Sequence, residues 1–155
     1  MLFRSTKSER DAVIKAEKNA WEEELNSWTH EKDPYSMDMI KDSKAMHPRE
    51  MLRAIEKALP KNSMVSTDIG NICSVSNSYL RFDEPRSMFA AMSFGNCGYA
   101  FPVAIGAKIA APDRPAFAYV GDGAWGISLN ELLTCAREKI GVTVILFNNG
   151  QWGAE

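Results

Sequence analysis

Cysteine is scarce and scattered in this chain. The three residues, Cys73, Cys97 and Cys135, are odd in number and widely spaced. They fit neither a disulfide framework nor a zinc site, and point to a reducing cytosol. An excess of charge of one sign is also lacking. There are 18 Lys and Arg against 20 Asp and Glu, a net of −2, so the whole-chain balance gives no reason to expect nucleic acid or an anionic membrane as partner. No apolar run is long enough to span a bilayer, and the first residues lack the apolar core of a signal peptide. Internal repeats and low-complexity tracts are missing too. What is left is a chain of 155 residues, 45% apolar and 25% charged, enough for one globular domain with a real core.

Residues 118–155 carry the clearest pattern. Two runs, 116–120 and 142–147, are apolar and β-branched, and read as strands buried on both faces, the signature of a covered parallel sheet. The segment between them is long enough for a crossover helix near 128–139, so the pair reads as a right-handed βαβ unit. The turns after both strands then share one edge of the sheet, outside the carboxyl ends of neighbouring strands, where open α/β sheets bind ligands. One turn is Gly121-Asp122-Gly123; the other holds Asn148-Asn149. Asp122 offers a carboxylate and Asn149 an amide carbonyl, hard oxygen ligands suited to Mg²⁺. Gly121 and Gly123 allow a sharp turn and a close backbone approach. The helix that follows aims its free N–H groups at the same place, where they suit phosphate. A divalent cation bridging a diphosphate is the natural occupant.

Upstream, residues 7–28 have a helical period, with Val13, Ala16 and Ala20, then Ile14, Trp21, Leu25 and Trp28, near one face. The preferred reading is a half-buried docking helix; a partner-binding amphipathic helix is the alternative. Residues 29–44 are polar and irregular and read as a linker. Pro48 opens a helix near 48–59 whose apolar face is Met51, Leu52, Ile55, Ala58 and Leu59. His47 is read as a turn residue, since nothing pairs it with a nucleophile. A short strand, 64–67, leads through Asp68, Ile69 and Gly70 into a helix over 71–80, with Asp68 as a candidate helix cap. Gly95 and Gly98 flank a loop able to meet a flat ligand, followed by a helix near 99–110 rich in small residues.

Gly-Asp-Gly on its own is also an ordinary turn. With Asn-Asn after the next buried strand, it resembles the diphosphate and metal motif of thiamine-diphosphate enzymes. The stretches STDIGN (66–71), SFGNCGYAFP (93–102), AAPDRP (110–115), GDGAWG (121–126) and NNGQWGAE (148–155) extend the likeness over about 46–155. Within that family the chain is most similar to the sulfoacetaldehyde acetyltransferase group, with acetolactate synthases further off.

The resemblance implies an α/β fold, a parallel sheet flanked by helices that forms an incomplete thiamine-diphosphate-binding domain over 46–155, with 1–45 as a helical linker region. It implies that Asp122, Asn149 and the main-chain oxygen of Gln151 hold Mg²⁺. Gly121, Gly123 and Ala124 would meet the diphosphate, with Gly70 and Asn71 as a second diphosphate turn. Gly95 would face the 4′-amino group of the cofactor, and Cys97 would stand where a larger residue usually bends it. The implied reaction takes sulfoacetaldehyde and phosphate to acetyl phosphate and sulfite, in a cytoplasmic homo-oligomer. The glutamate that protonates the cofactor's pyrimidine would come from a domain that no position here matches, so the chain is expected to be part of a larger enzyme.

Overall fold

Short runs of apolar and β-branched residues become four strands, and the longer segments between them coil into helices. The computed structural model describes residues 7–30 and 48–152. The chain falls into two units, Met1–Ala45 and Met46–Glu155. In the first, α1 spans Lys7–His30. Val13, Ile14 and Trp21 are exposed on it, so the half-buried face expected from its spacing is not found among its described side chains. The expected linker beyond His30, and His47, lie outside the described residues.

The second unit runs α2 (Pro48–Ala58), β1 (Met64–Thr67), α3 (Asn71–Tyr79), β2 (Met88–Ala90), α4 (Ala100–Ala110), β3 (Ala116–Gly121), α5 (Asp122–Ser128), α6 (Leu132–Glu138) and β4 (Thr143–Phe147). The strands form one sheet in the order β2-β1-β3-β4. All three pairings are parallel, with Thr67 opposite Tyr119 and Gly121 opposite Phe147. The strand β2 escaped sequence reading because three residues carry no period. The single helix expected near 128–139 is broken. A 3₁₀ turn at Leu129–Glu131 separates α5 from α6, and α6 ends at Lys139, whose φ of 55° is left-handed.

Both faces of the sheet carry a core. On one side Ala100, Phe101, Ala104 and Ile105 of α4 pack against Ala118 and Val120, and Trp125 meets Phe101 edge-on at 5.1 Å. On the other, Leu52, Val65 and Tyr119 are joined by Ile55, Ile72, Val75 and Phe147. Small residues on α4 let it lie close to β3. The strand β4 departs from the expectation of full burial. Thr143 and Leu146 are exposed, because β4 is an edge strand.

The edge of the sheet where the strands begin is tied by Arg114. Its Nε donates to the Asn62 carbonyl at 2.8 Å and its Nη2 to the Ser87 hydroxyl at 2.6 Å. Longer contacts reach the carbonyls of Ser63, Pro85 and Arg86. One guanidinium thus joins the segments entering β1, β2 and β3, far from the turns at the opposite edge.

Candidate active site

Because every strand pair is parallel, the segments leaving all four strands emerge at one edge. All the residues expected at the site from sequence are on those segments. Gly70 and Asn71 follow β1, and Gly95 and Cys97 follow β2. Gly121, Asp122, Gly123 and Ala124 sit at the β3–α5 junction, and Asn149 and Gln151 follow β4. The register sets Gly121 opposite Phe147, so Asp122 is one residue past the paired end of β3 and Asn149 two past that of β4.

The local shapes have identifiable causes. Asp122 opens α5, whose cap residue Gly121 is extended and makes no side-chain cap. The first N–H groups of that helix therefore have no partner within it. After β4, Asn148 Oδ1 accepts the Gly150 N–H at 2.9 Å and Asn149 Oδ1 accepts the Gln151 N–H at 3.2 Å, with Gly150 left-handed at φ 70°. Such Asx turns are what Asn-Asn-Gly favours. They also turn the Asn149 carbonyl oxygen into its own loop. Gly70 adopts φ 102°, a value suited to glycine, and starts α3 without a side-chain cap.

Two residues in this region were not legible as site features. Asp68, fully buried, does not cap α3, the helix that follows it. Its Oδ1 accepts N–H bonds from Gly98 at 2.8 Å and Tyr99 at 3.3 Å, and its Oδ2 accepts from Ala100 at 3.0 Å. It thus caps α4. Trp152 lays its indole over Gly123, where a β-carbon would stand 2.7 Å from Cε2. Neither follows from local spacing, because each contact joins segments distant in sequence. The loop after β2 is further held by sulfur contacts. Cys73 Sγ meets Met92 Sδ at 3.4 Å, and Asn77 Nδ2 donates to both sulfurs at 3.6 Å.

The residues expected from sequence to hold a metal, Asp122, Asn149 and Gln151, carry oxygen donors, one of them anionic. Among the described residues no three His, Cys, Asp or Glu side chains gather to hold a metal.

The family profile described as "Thiamine pyrophosphate enzyme, C-terminal TPP binding domain" matches residues 68–155, from the Asp68 turn through both motif turns. The chain belongs to the thiamine pyrophosphate enzyme family. Its curated relatives include a sulfoacetaldehyde acetyltransferase of Castellaniella defragrans, 62% identical over 97% of this chain and 26% of the relative. A sulfoacetaldehyde acetyltransferase of Alcaligenes xylosoxydans xylosoxydans is also 62% identical, over the same shares. An acetolactate synthase large subunit of Parasynechococcus marenigrum is 32% identical over 84% of this chain and 20% of that protein. The chain therefore spans about a quarter of the length of the acetyltransferases it matches. Among solved structures, a thiamine diphosphate-dependent 4-hydroxybenzoylformate decarboxylase of Rhodococcus jostii RHA1 matches with a TM-score of 0.63. The match is 27% identical and covers 72% of this chain and 21% of that one. No described helix is long and apolar enough to cross a membrane.

Proposed function

We propose that the chain is the cofactor-binding part of a thiamine-diphosphate- and Mg²⁺-dependent acyltransferase, one that takes sulfoacetaldehyde and phosphate to acetyl phosphate and sulfite. The observation that carries this reading is the likeness to sulfoacetaldehyde acetyltransferases along nearly the whole chain, nearly twice that to the acetolactate synthase.

The residues present fit the cofactor. The Asp122 carboxylate, the Asn149 amide and the Gln151 carbonyl form an all-oxygen donor set, the kind Mg²⁺ takes. One carboxylate is too little for a tight cation site by itself, so phosphate and water oxygens would complete the sphere. Gly121, Gly123 and Ala124, at the uncapped start of α5, would receive the diphosphate, with Gly70 and Asn71 beside them. Gly95 and Cys97 would face the ring end. When bound, thiamine diphosphate supplies the nucleophilic carbon that takes up the two-carbon unit. The chain's own part is to anchor both ends and to keep the metal turn rigid.

Phe94, Ile127 and Leu133 are large apolar side chains left exposed, which supports a homo-oligomer in the complete enzyme. The balanced charge and scattered cysteines support a cytoplasmic setting without nucleic acid or membrane. The linker reading of 1–45 and the domain reading of 46–155 belong to the same proposal.

A second reading, another enzyme of the same family acting on a 2-oxo acid, draws on the match to the decarboxylase. Assays of the complete gene product decide between them. Acetyl phosphate formed from sulfoacetaldehyde and phosphate supports the acyltransferase; turnover of pyruvate with none of sulfoacetaldehyde overturns it.

A further inference from the structure

We propose that Asp68 is a positioning residue that locks the loop carrying Gly95 and Cys97 to the end of β1, and so holds the ring end of the cofactor in fixed relation to its diphosphate end. The inference rests on the cofactor reading above.

Asp68 is 0% exposed. Burying a carboxylate is costly unless its oxygens are satisfied. Here both oxygens accept main-chain N–H groups, three in all, from Gly98, Tyr99 and Ala100. Among the described residues it has no ion-pair partner. Its compensation is therefore the start of α4, through charge-assisted bonds at the end of a helix that favours negative charge. The Asp68 N–H in turn donates to the Tyr119 carbonyl at 3.0 Å, fixing it to β3.

The placement of this cap has consequences beyond helix stability. The cap residue of α4, Tyr99, makes no side-chain capping bond of its own. A local cap would hold only its own helix. A cap supplied from β1 also fixes where the loop sits against the sheet. Gly98 shows the effect. It is left-handed at φ 80°, held on one side by Asp68, while a β-carbon there would come 2.7 Å from Ile127 Cγ2 of α5. Asp68 lies two residues before Gly70, and α5 begins at Asp122. One carboxylate thereby spans the turn after β1, the loop after β2 and, through Gly98, the helix that opens on the metal turn.

Asp68→Asn keeps the shape but replaces one acceptor oxygen by an NH₂ group, which must face an N–H and lose that bond. The test titrates the full chain at constant Mg²⁺ with two probes, thiamine diphosphate and inorganic diphosphate. Only the first reaches the loop. Asp68→Asn should weaken thiamine diphosphate by about tenfold or more, the effect of losing one hydrogen bond to a charged group, and leave inorganic diphosphate within about twofold. Amide exchange at Gly98, Tyr99 and Ala100 should speed up in the variant without ligand. Equal weakening of both probes, which a purely structural role would give, or unchanged exchange at those amides overturns the proposal. Wild-type chain that binds both probes equally well would instead overturn the cofactor reading, and this one with it. If Asp68→Asn does not fold, Asp68→Ser, which keeps one acceptor for the helix start, is read by the same criteria.

Discussion

The indole of Trp152 lies against Gly123, with three ring atoms between 2.7 and 3.0 Å from where a β-carbon would be. The ring covers backbone that the diphosphate is proposed to meet. Binding of Mg²⁺ and thiamine diphosphate should therefore move it. The fluorescence of Trp152, one of four tryptophans, should change on titration, and the change should vanish in Trp152→Phe. Gly123→Ala should shift the same signal before any ligand is added, because ring and methyl cannot share the space.

Asp122 provides the only carboxylate in the expected metal set. Asp122→Ala should weaken Mg²⁺-dependent cofactor binding by roughly a hundredfold or more, since even residues one layer away from a metal cost about 10–100-fold. Asn149→Ala should cost less, roughly tenfold, because the lost ligand is neutral. Titration calorimetry with and without Mg²⁺ reads both. Equal binding by Asp122→Ala and wild type would remove Asp122 from the metal set.

Tyr119 is buried against Phe147 at 5.7 Å between ring centres, and among the described residues its hydroxyl has no hydrogen-bond partner. Burial pushes the phenol well above its usual value of about 10. The folded state then holds the phenol neutral at a pH where the unfolded chain ionises. Its contribution to stability is full below about pH 10 and is lost as pH rises beyond. Tyr119→Phe should be neutral or stabilising by up to about 2 kcal/mol at pH 7, and should lessen the loss of stability above about pH 10. Urea midpoints measured across that range give the comparison.

Arg114 binds at the opposite edge from the site. Arg114→Ala should lower stability by about 1–3 kcal/mol, as the segments entering three strands lose their common donor. Cofactor affinity of the folded protein should stay within about twofold, which separates this role from that of Asp68.

The 155-residue chain on its own should make no acetyl phosphate from sulfoacetaldehyde. It spans about a quarter of the acetyltransferases it matches, and the acid facing the pyrimidine is expected on a domain it does not match. Loss of a general acid–base partner alone is typically worth about 10²–10⁴ in rate. Turnover by the purified chain, measured as acetyl phosphate released, would show the acid to lie within it.

Much of this protein was determined locally. Apolar runs specified β3 and β4, because such side chains suit a pleated, covered surface whatever lies beyond, and a short strand was legible ahead of Asp68. Apolar spacing and Pro48 specified α2, and the parallel order of β3 and β4 followed from the length of chain between them. Parallel pairing then carries Asp122 and Asn149 to one edge with no further information. Tertiary structure decided the rest. It made β4 an edge strand, broke the helix after Gly123 at Leu129–Glu131, and formed β2 from three residues too few to show a period. It also gave Asp68 a partner 32 residues away in place of the helix beside it, and laid Trp152 on Gly123. Short-range spacing encodes which face of an element is apolar. Which distant N–H a buried carboxylate accepts, and which glycine an indole covers, depend on how whole elements pack, and only the folded chain brings those atoms together.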